Sequence, residues 1–73
     1  MPQLPVLSGE EIIKALSKIG YSPLRQHSSH VRLNCAGKPK VTVPDYKTVS
    51  RGLLRKILRD AKLSPEEFMK LIK

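Results

Sequence analysis

The first periodic segment of the chain predicts an amphipathic helix. Apolar residues recur every three or four positions, at Ile12, Ile13, Leu16 and Ile19. Directly before them, Ser8 and Glu11 have the spacing of a capping box, in which the serine caps the helix and the glutamate bonds back to the serine amide. Gly20 suits the residue just past the end of the helix. We therefore expect a helix that begins after Ser8 and ends before Gly20.

Three stretches that follow, residues 21–26, 30–34 and 40–43, change to the two-residue alternation of β-strands. Pro23 marks the first as an edge strand. In the second, Val31 and Leu33 point one way, away from His30, Arg32 and Asn34; in the third, two valines alternate with Lys40 and Thr42. Residues 27–29 and 36–39 are predicted turns. The pattern indicates a three-stranded antiparallel meander with one apolar face and one polar, basic face.

The C-terminal third returns to helical spacing. Ser50 is a predicted N-cap of a second helix, whose apolar stripe is Leu53, Leu54, Ile57, Leu58 and Ala61. Ser64 opens a second capping box with proline at the first helical position, and the short helix it begins can pack onto the core through Phe68, Leu71 and Ile72. We expect an α+β fold in one domain, residues 1–73, with helices on one sheet face and an extended or frayed lead-in over residues 1–7.

Length and composition limit the kinds of chemistry available. With 73 residues, the chain has no room for a cofactor-binding fold or a deep cleft, so any active groups must lie at the surface. One cysteine excludes a disulfide framework. Residues 1–7 lack the charged start of a secretory signal, and no apolar run is long enough to span a membrane. We expect a soluble cytoplasmic protein without a cofactor.

The charge is strongly basic and unevenly distributed. Fourteen Lys and Arg residues outnumber six Asp and Glu, a formal net charge of +8. Twelve of the bases but only two of the acids lie in residues 12–63. Such an excess attracts polyanions, because bound cations displace counterions condensed on a phosphate backbone, so we expect a nucleic-acid partner. The alternative is that the charge only keeps the domain soluble.

Part of this charge forms a stripe along the second helix, at Arg51, Arg55 and Arg59. Like charges one helical turn apart destabilise an isolated helix by about 0.3 kcal/mol per pair, which favours an anionic partner over the alternative of a merely solvated face. The only aromatic residues are Tyr21, Tyr46 and Phe68. This is too few for the base-stacking platform of single-strand binders, so contacts should be mainly to phosphate and sugar.

Histidine is the remaining candidate for catalysis. Four of the six carboxylates sit at predicted helix starts, which leaves too few for a two-metal nuclease site. RNA can be cleaved without metal, because its 2′-hydroxyl attacks the neighbouring phosphorus and the protein need only move protons and neutralise charge. His30 lies on the predicted polar face near Arg32 and Lys40, and could move a proton there. His27 could be a second group. A structural role for His30 is the alternative.

Four segments in order resemble the HicA (YcfA-like) toxin family: Leu16-Ser17-Lys18-Ile19-Gly20-Tyr21, Ser28-Ser29-His30, Val41-Thr42-Val43-Pro44 and residues 53–61. The resemblance extends over about residues 9–68. It implies a fold like a double-stranded-RNA-binding domain and the activity of an mRNA interferase in a toxin–antitoxin module. It also implies that His30, which matches the histidine of the family's Gly-Ser-His motif, is the active residue, and that a HicB-type antitoxin covers it.

This sequence departs from the family pattern at two positions. Ser28 replaces the glycine of the motif, and Tyr46 replaces a histidine often found after the third strand. Tyr46 can donate a hydrogen bond to phosphate but cannot shuttle protons at neutral pH. On this interpretation His30 is the catalyst and Ser28 and Ser29 shape the approach of RNA. The remaining contacts come from Arg32, Lys40, Tyr46, Arg51, Arg55 and Arg59.

Two other functions fit the sequence. A non-catalytic module for double-stranded RNA would bind by shape across the minor groove and would not need His30. A DNA-binding regulator would use the second helix for recognition, but a three-stranded meander is not a helix-turn-helix scaffold.

Overall fold

A computed structural model of the chain describes residues 4–27 and 29–72, and of His27 it describes only the backbone. The elements are α1 (Gly9–Ser17), β1 (Ser22–His27), β2 (His30–Cys35), β3 (Lys38–Pro44), α2 (Arg51–Asp60) and α3 (Pro65–Leu71). The strands form one antiparallel sheet in the order β1-β2-β3, so β2 is central. The predicted α+β class and element order are confirmed.

Local signals in the sequence explain where each helix begins. The Ser8 hydroxyl accepts a hydrogen bond from the Glu11 amide and the Ser8 amide donates to the Glu11 carboxylate, so the predicted capping box is present. Ser64 and Glu67 make the same pair of bonds at the start of α3. Ser50 caps α2 by accepting from the Leu53 amide. All three predicted caps are confirmed.

The helices cover one face of the sheet. Alternate strand residues, Val31 and Leu33 in β2 and Val41 and Val43 in β3, are buried. They share the core with apolar side chains from the helices, chiefly Ile12, Leu16, Leu54, Ile57, Leu58 and Phe68. His30 and Arg32, between the buried residues of β2, are exposed. The predicted division into a buried apolar face and a polar face is therefore confirmed.

Segment boundaries differ from the predictions, most clearly at the two turns of the sheet and in residues 4–7, and α1 ends at Ser17, two residues earlier than expected. His27, which we predicted in a turn, ends β1. Because β3 begins at Lys38, the turn between β2 and β3 contains only Ala36 and Gly37, with Gly37 at a φ of 80°.

Residues 4–7 are not frayed. Leu4 is fully buried, and the Val49 amide donates to the Leu7 carbonyl at 2.7 Å. The frayed lead-in was thus a wrong alternative for these residues, while residues 1–3 lie outside the described part.

Candidate nucleic-acid interface and active site

His30 lies at one end of the central strand. It is the first residue of β2, and its Cα partners are His27 in β1 and Pro44 in β3. Its side chain is exposed, because it precedes Val31, which points into the core. Since alternate residues of a strand point to opposite faces, His30 is on the face that the helices leave uncovered. An extended ligand can therefore reach its imidazole.

Tyr46 stands beside His30. The two ring centroids are 6.1 Å apart and the ring planes are inclined by 72°, an edge-to-face arrangement. Tyr46 lies in the loop between β3 and α2 and is 44% exposed, so a ligand on this side of the molecule can contact it. The sequence analysis named both residues, and the fold brings them together although sixteen positions separate them.

Two backbone hydrogen bonds fix the loop that carries Tyr46. The Asp45 amide donates to the Ser29 carbonyl, and the Gly9 amide donates to the Tyr46 carbonyl at 2.8 Å. At Gly9 the first turn of α1 approaches the loop so closely that a Cβ would lie 2.0 Å from the Pro44 carbonyl oxygen. Gly9 is a positioning residue that the sequence analysis missed. Its place inside a capping box gave no signal of this contact.

Cations lie next to His30 on the uncovered face. Arg32 follows it by two residues, is exposed, and donates from its guanidinium to the Thr42 hydroxyl at 3.1 Å. Thr42 and Arg25 are the Cα partners of Arg32 on the two neighbouring strands. The exposed Arg25 is a further cation that the sequence analysis did not identify, because a bulge next to it breaks the alternation of β1.

Lys40 is exposed but is farther from His30. It precedes Pro44, the Cα partner of His30, by four residues, a separation of about 13 Å along a strand. We define the sheet surface as His30, Arg25, Arg32, Lys40 and Tyr46. Ser29, in the turn before His30, is partly buried, while Ser28 lies outside the described residues.

The arginine stripe of α2 lies elsewhere. The helix packs its apolar side against the covered face through Leu54, Ile57 and Leu58, and Arg55 and Arg59 are exposed on its other sides. The sheet therefore lies between these two arginines and the sheet surface. Arg51, at the start of the helix, donates from Nε to the Leu4 carbonyl at 2.6 Å. It helps to hold residues 4–7 in place, a role that the spacing of the stripe did not indicate.

The helix-start carboxylates are used in folding. Hydrogen bonds from the Ser8 backbone and side chain hold the pKa of Glu11 below its usual value, and Ser64 does the same for Glu67. Within residues 4–27 and 29–72, no three His, Cys, Asp or Glu side chains are grouped so that they could share a metal ion. No helix in the described ranges is long and apolar enough to cross a membrane.

Comparison with known proteins gives a match to one protein family. The family model described as the HicA toxin of bacterial toxin–antitoxin systems matches residues 9–63, about three quarters of the chain. The matched region begins at Gly9 and includes all three strands and α2. Searches of curated proteins and of solved structures each returned no match.

Proposed function

This chain belongs to the HicA toxin family of bacterial toxin–antitoxin systems, and we propose that it acts there as a metal-independent mRNA interferase. The observation that carries the proposal is the exposed His30 beside Tyr46 and Arg32, on the side of the sheet that the helices leave uncovered. An acid–base group, a hydroxyl donor and a cation are what cleavage of RNA by its own 2′-hydroxyl needs from a protein.

In the proposed reaction the 2′-oxygen attacks the adjacent phosphorus and the bond to the 5′-oxygen breaks. The 2′-hydroxyl gives up a proton and the leaving 5′-oxygen gains one, so the products are a 2′,3′-cyclic phosphate and a 5′-hydroxyl. His30 performs one of these proton transfers. Arg32, oriented by its hydrogen bond to Thr42, and the Tyr46 hydroxyl stabilise the negative charge on the phosphorane.

The remaining cations hold the RNA strand. Lys40 extends the sheet surface along β3, and we assign phosphate contacts to Arg51, Arg55 and Arg59 outside the cleavage site. Ser28 and Ser29 shape the approach of the strand to His30. The carboxylates favour a mechanism without metal, because Glu11 and Glu67 are already engaged in helix caps. A HicB-type antitoxin inhibits the enzyme by covering the sheet surface, and the complex works in the cytoplasm.

The test compares His30→Ala with wild type and with Lys70→Ala, which removes an exposed cation of α3 outside the proposed site. Induced expression in bacteria should arrest growth and degrade mRNA for wild type and Lys70→Ala but not for His30→Ala. With purified proteins in EDTA, RNA cleavage should fall by at least about 100-fold for His30→Ala. The product should carry a cyclic phosphate, and an oligonucleotide with 2′-deoxy sugars should resist.

Equal cleavage by wild type and His30→Ala would assign the chemistry to another group. If none of the proteins cleaves RNA but all bind duplex RNA, the non-catalytic RNA-binding module becomes the better account.

A further inference from the structure

Two arginines face each other across the sheet. Arg25 in β1 and Arg32 in β2 are direct Cα partners, and both are exposed. Directly opposed residues of antiparallel strands point to the same face, with their Cβ atoms about 5 Å apart. Thr42 on β3 is the Cα partner of Arg32 on its other side. We call Arg25, Arg32 and Thr42 the cross-strand row.

The bulge in β1 is what puts Arg25 in this row. Pro23 pairs with Leu33. Regular pairing from there would place Leu24 opposite Arg32. The register shifts between Pro23 and Arg25, however, and Arg25 takes that place. Bulges are common next to active sites, where they redirect a side chain. This one exchanges an aliphatic side chain for a cation beside Arg32.

The charge of the two arginines is not balanced within the sheet. Like charges directly opposite each other destabilise an antiparallel pair, and the three strands contain no Asp or Glu. Arg25 also borders the opening between α1 and β1 where Glu10 and Asp45 lie, but within the described residues no ion pair joins it to either carboxylate. Arg32 uses one guanidinium nitrogen on the Thr42 hydroxyl and has further donors. The pair can therefore bind an anion from outside the chain.

The distance of the row from His30 indicates which anion this is. Arg32 follows His30 by two residues along β2, about 7 Å. Successive phosphates of an extended RNA strand are a similar distance apart. A strand that lies along β2 with one phosphate at His30 therefore brings the next phosphate to the row. Arginine suits this ligand, because its planar guanidinium can donate two parallel hydrogen bonds to phosphate oxygens.

We propose that Arg25 and Arg32 bind the phosphate next to the scissile one and so align the RNA strand along β2. In this arrangement Arg32 lies between the two phosphates, whereas Arg25 contacts only the neighbouring one. Arg25 thus binds substrate and takes no part in the proton transfers. The inference rests on the proposed function in one respect, that the scissile phosphate lies at His30.

The first measurement is the binding of an oligouridylate of fixed length to variants in a His30→Ala background, over a range of salt concentrations. Arg25→Ala should raise the dissociation constant about three- to fivefold, as expected for one exposed ion pair. The slope of log affinity against log salt should become shallower by about 0.7, the value for one phosphate contact on a single strand.

Lys14→Ala is the matched control. Lys14 is exposed and borders the same opening between α1 and β1 as Arg25, but it lies on a helix of the covered face. The variant should leave the affinity and its salt dependence unchanged. Thermal unfolding checks that both variants fold.

The second measurement locates the phosphate. A short oligonucleotide with one mapped cleavage site carries an uncharged methylphosphonate at the linkage on one side or the other of the scissile one. One of these two substitutions should raise KM for wild type by about the same factor as Arg25→Ala does. On that oligonucleotide Arg25→Ala should cause no further change, because both alterations remove the same contact.

Equal effects of Arg25→Ala on the unmodified and both modified oligonucleotides would overturn the proposal. So would unchanged RNA binding by Arg25→Ala together with lost antitoxin binding, because an acidic protein segment would then occupy the row. A salt slope that depends on Arg25, in a protein that never cleaves RNA, would refute the proposed function and uphold the two arginines as a phosphate site.

Discussion

The two basic surfaces of this protein differ in what surrounds their cations. On the sheet surface, Arg32 lies two residues from His30 and hydrogen bonds to Thr42. The helix surface, which we define as Arg55, Lys56 and Arg59, carries as much charge, but α2 contains no histidine, tyrosine or hydroxyl residue. Both surfaces attract a polyanion. In the proposed function, the sheet surface differs from the helix surface because it places His30, an acid–base group, where the polyanion would lie.

The difference shows that charge on a helix surface and the arrangement around His30 make different demands on the fold. Charge on one helix needs only a repeat of arginine every fourth residue. The arrangement at His30 needs the register of the sheet, the loop that carries Tyr46, and the first turn of α1, which holds that loop through Gly9. A defect in any of these should therefore disturb the sheet surface and leave the cations of the helix surface in place.

The largest difference that we predict is between two glycine-to-alanine substitutions, one beside each surface. Gly9→Ala would put a Cβ 2.0 Å from the Pro44 carbonyl oxygen, so α1 and the Tyr46 loop must separate. We expect a loss of about 2–3 kcal/mol in the free energy of unfolding, or a fall of about 10–20 °C in Tm, and loss of RNA cleavage. Gly52→Ala on α2 meets no atom within 4 Å and should stabilise the helix by up to about 1 kcal/mol.

Thermal unfolding and a cleavage assay below the lower Tm measure both effects. A Gly9→Ala protein with unchanged Tm and activity would show that the close approach is not needed for the site.

The arginines of the two surfaces should differ in kinetics. Arg32→Ala should lower kcat by about tenfold or more, because the guanidinium stabilises charge that develops on the phosphorane. The double variant Arg55→Ala, Arg59→Ala should raise KM by about three- to tenfold with kcat unchanged, because these side chains contribute only uniform binding. Its affinity for RNA should also vary less with salt.

Single-turnover and steady-state assays on one RNA distinguish the two effects. If the double variant lowers kcat as much as Arg32→Ala does, both surfaces act on the chemical step, and the helix surface does not contribute binding alone.

Much of the fold was predictable because its signals are local. Serine caps such as Ser64 mark the helix starts, and the alternation at Val31 and Leu33 marks the buried sheet face. Residues 4–7 were harder, since the Leu4 carbonyl accepts a hydrogen bond from Arg51, which is distant in sequence.

For the candidate site, the sequence indicated His30, Arg32 and Tyr46 but not the contacts that hold the Tyr46 loop in position. Gly9 meets Pro44 only after α1 has docked on the sheet, and no local pattern encodes such a contact. Arg25 was missed because the bulge at Leu24 breaks the strand pattern. A stripe on one helix is visible in sequence, whereas its position relative to His30 is set by the tertiary fold.

The smallest effect that we predict concerns acid stability, and it allows folding to be separated from catalysis. The Ser8 amide donates to the Glu11 carboxylate and the Ser64 amide to the Glu67 carboxylate, both at 3.0 Å, and these bonds lower the pKa of each carboxyl from 4.5. A lowered folded-state pKa means that the stabilisation is complete above the unfolded value and is lost as the pH falls through the folded value.

The Tm should therefore decline below about pH 4.5, and the double variant Glu11→Gln, Glu67→Gln should show a shallower decline, because glutamine keeps the cap without titrating. Both carboxylates are exposed, so the difference should be small and is best measured by thermal unfolding from pH 3 to pH 7 in steps. A fall in RNA cleavage between pH 7 and pH 5 at constant Tm would report on the sheet surface and not on unfolding, whereas identical acid limbs in the two proteins would remove the caps from the account of stability.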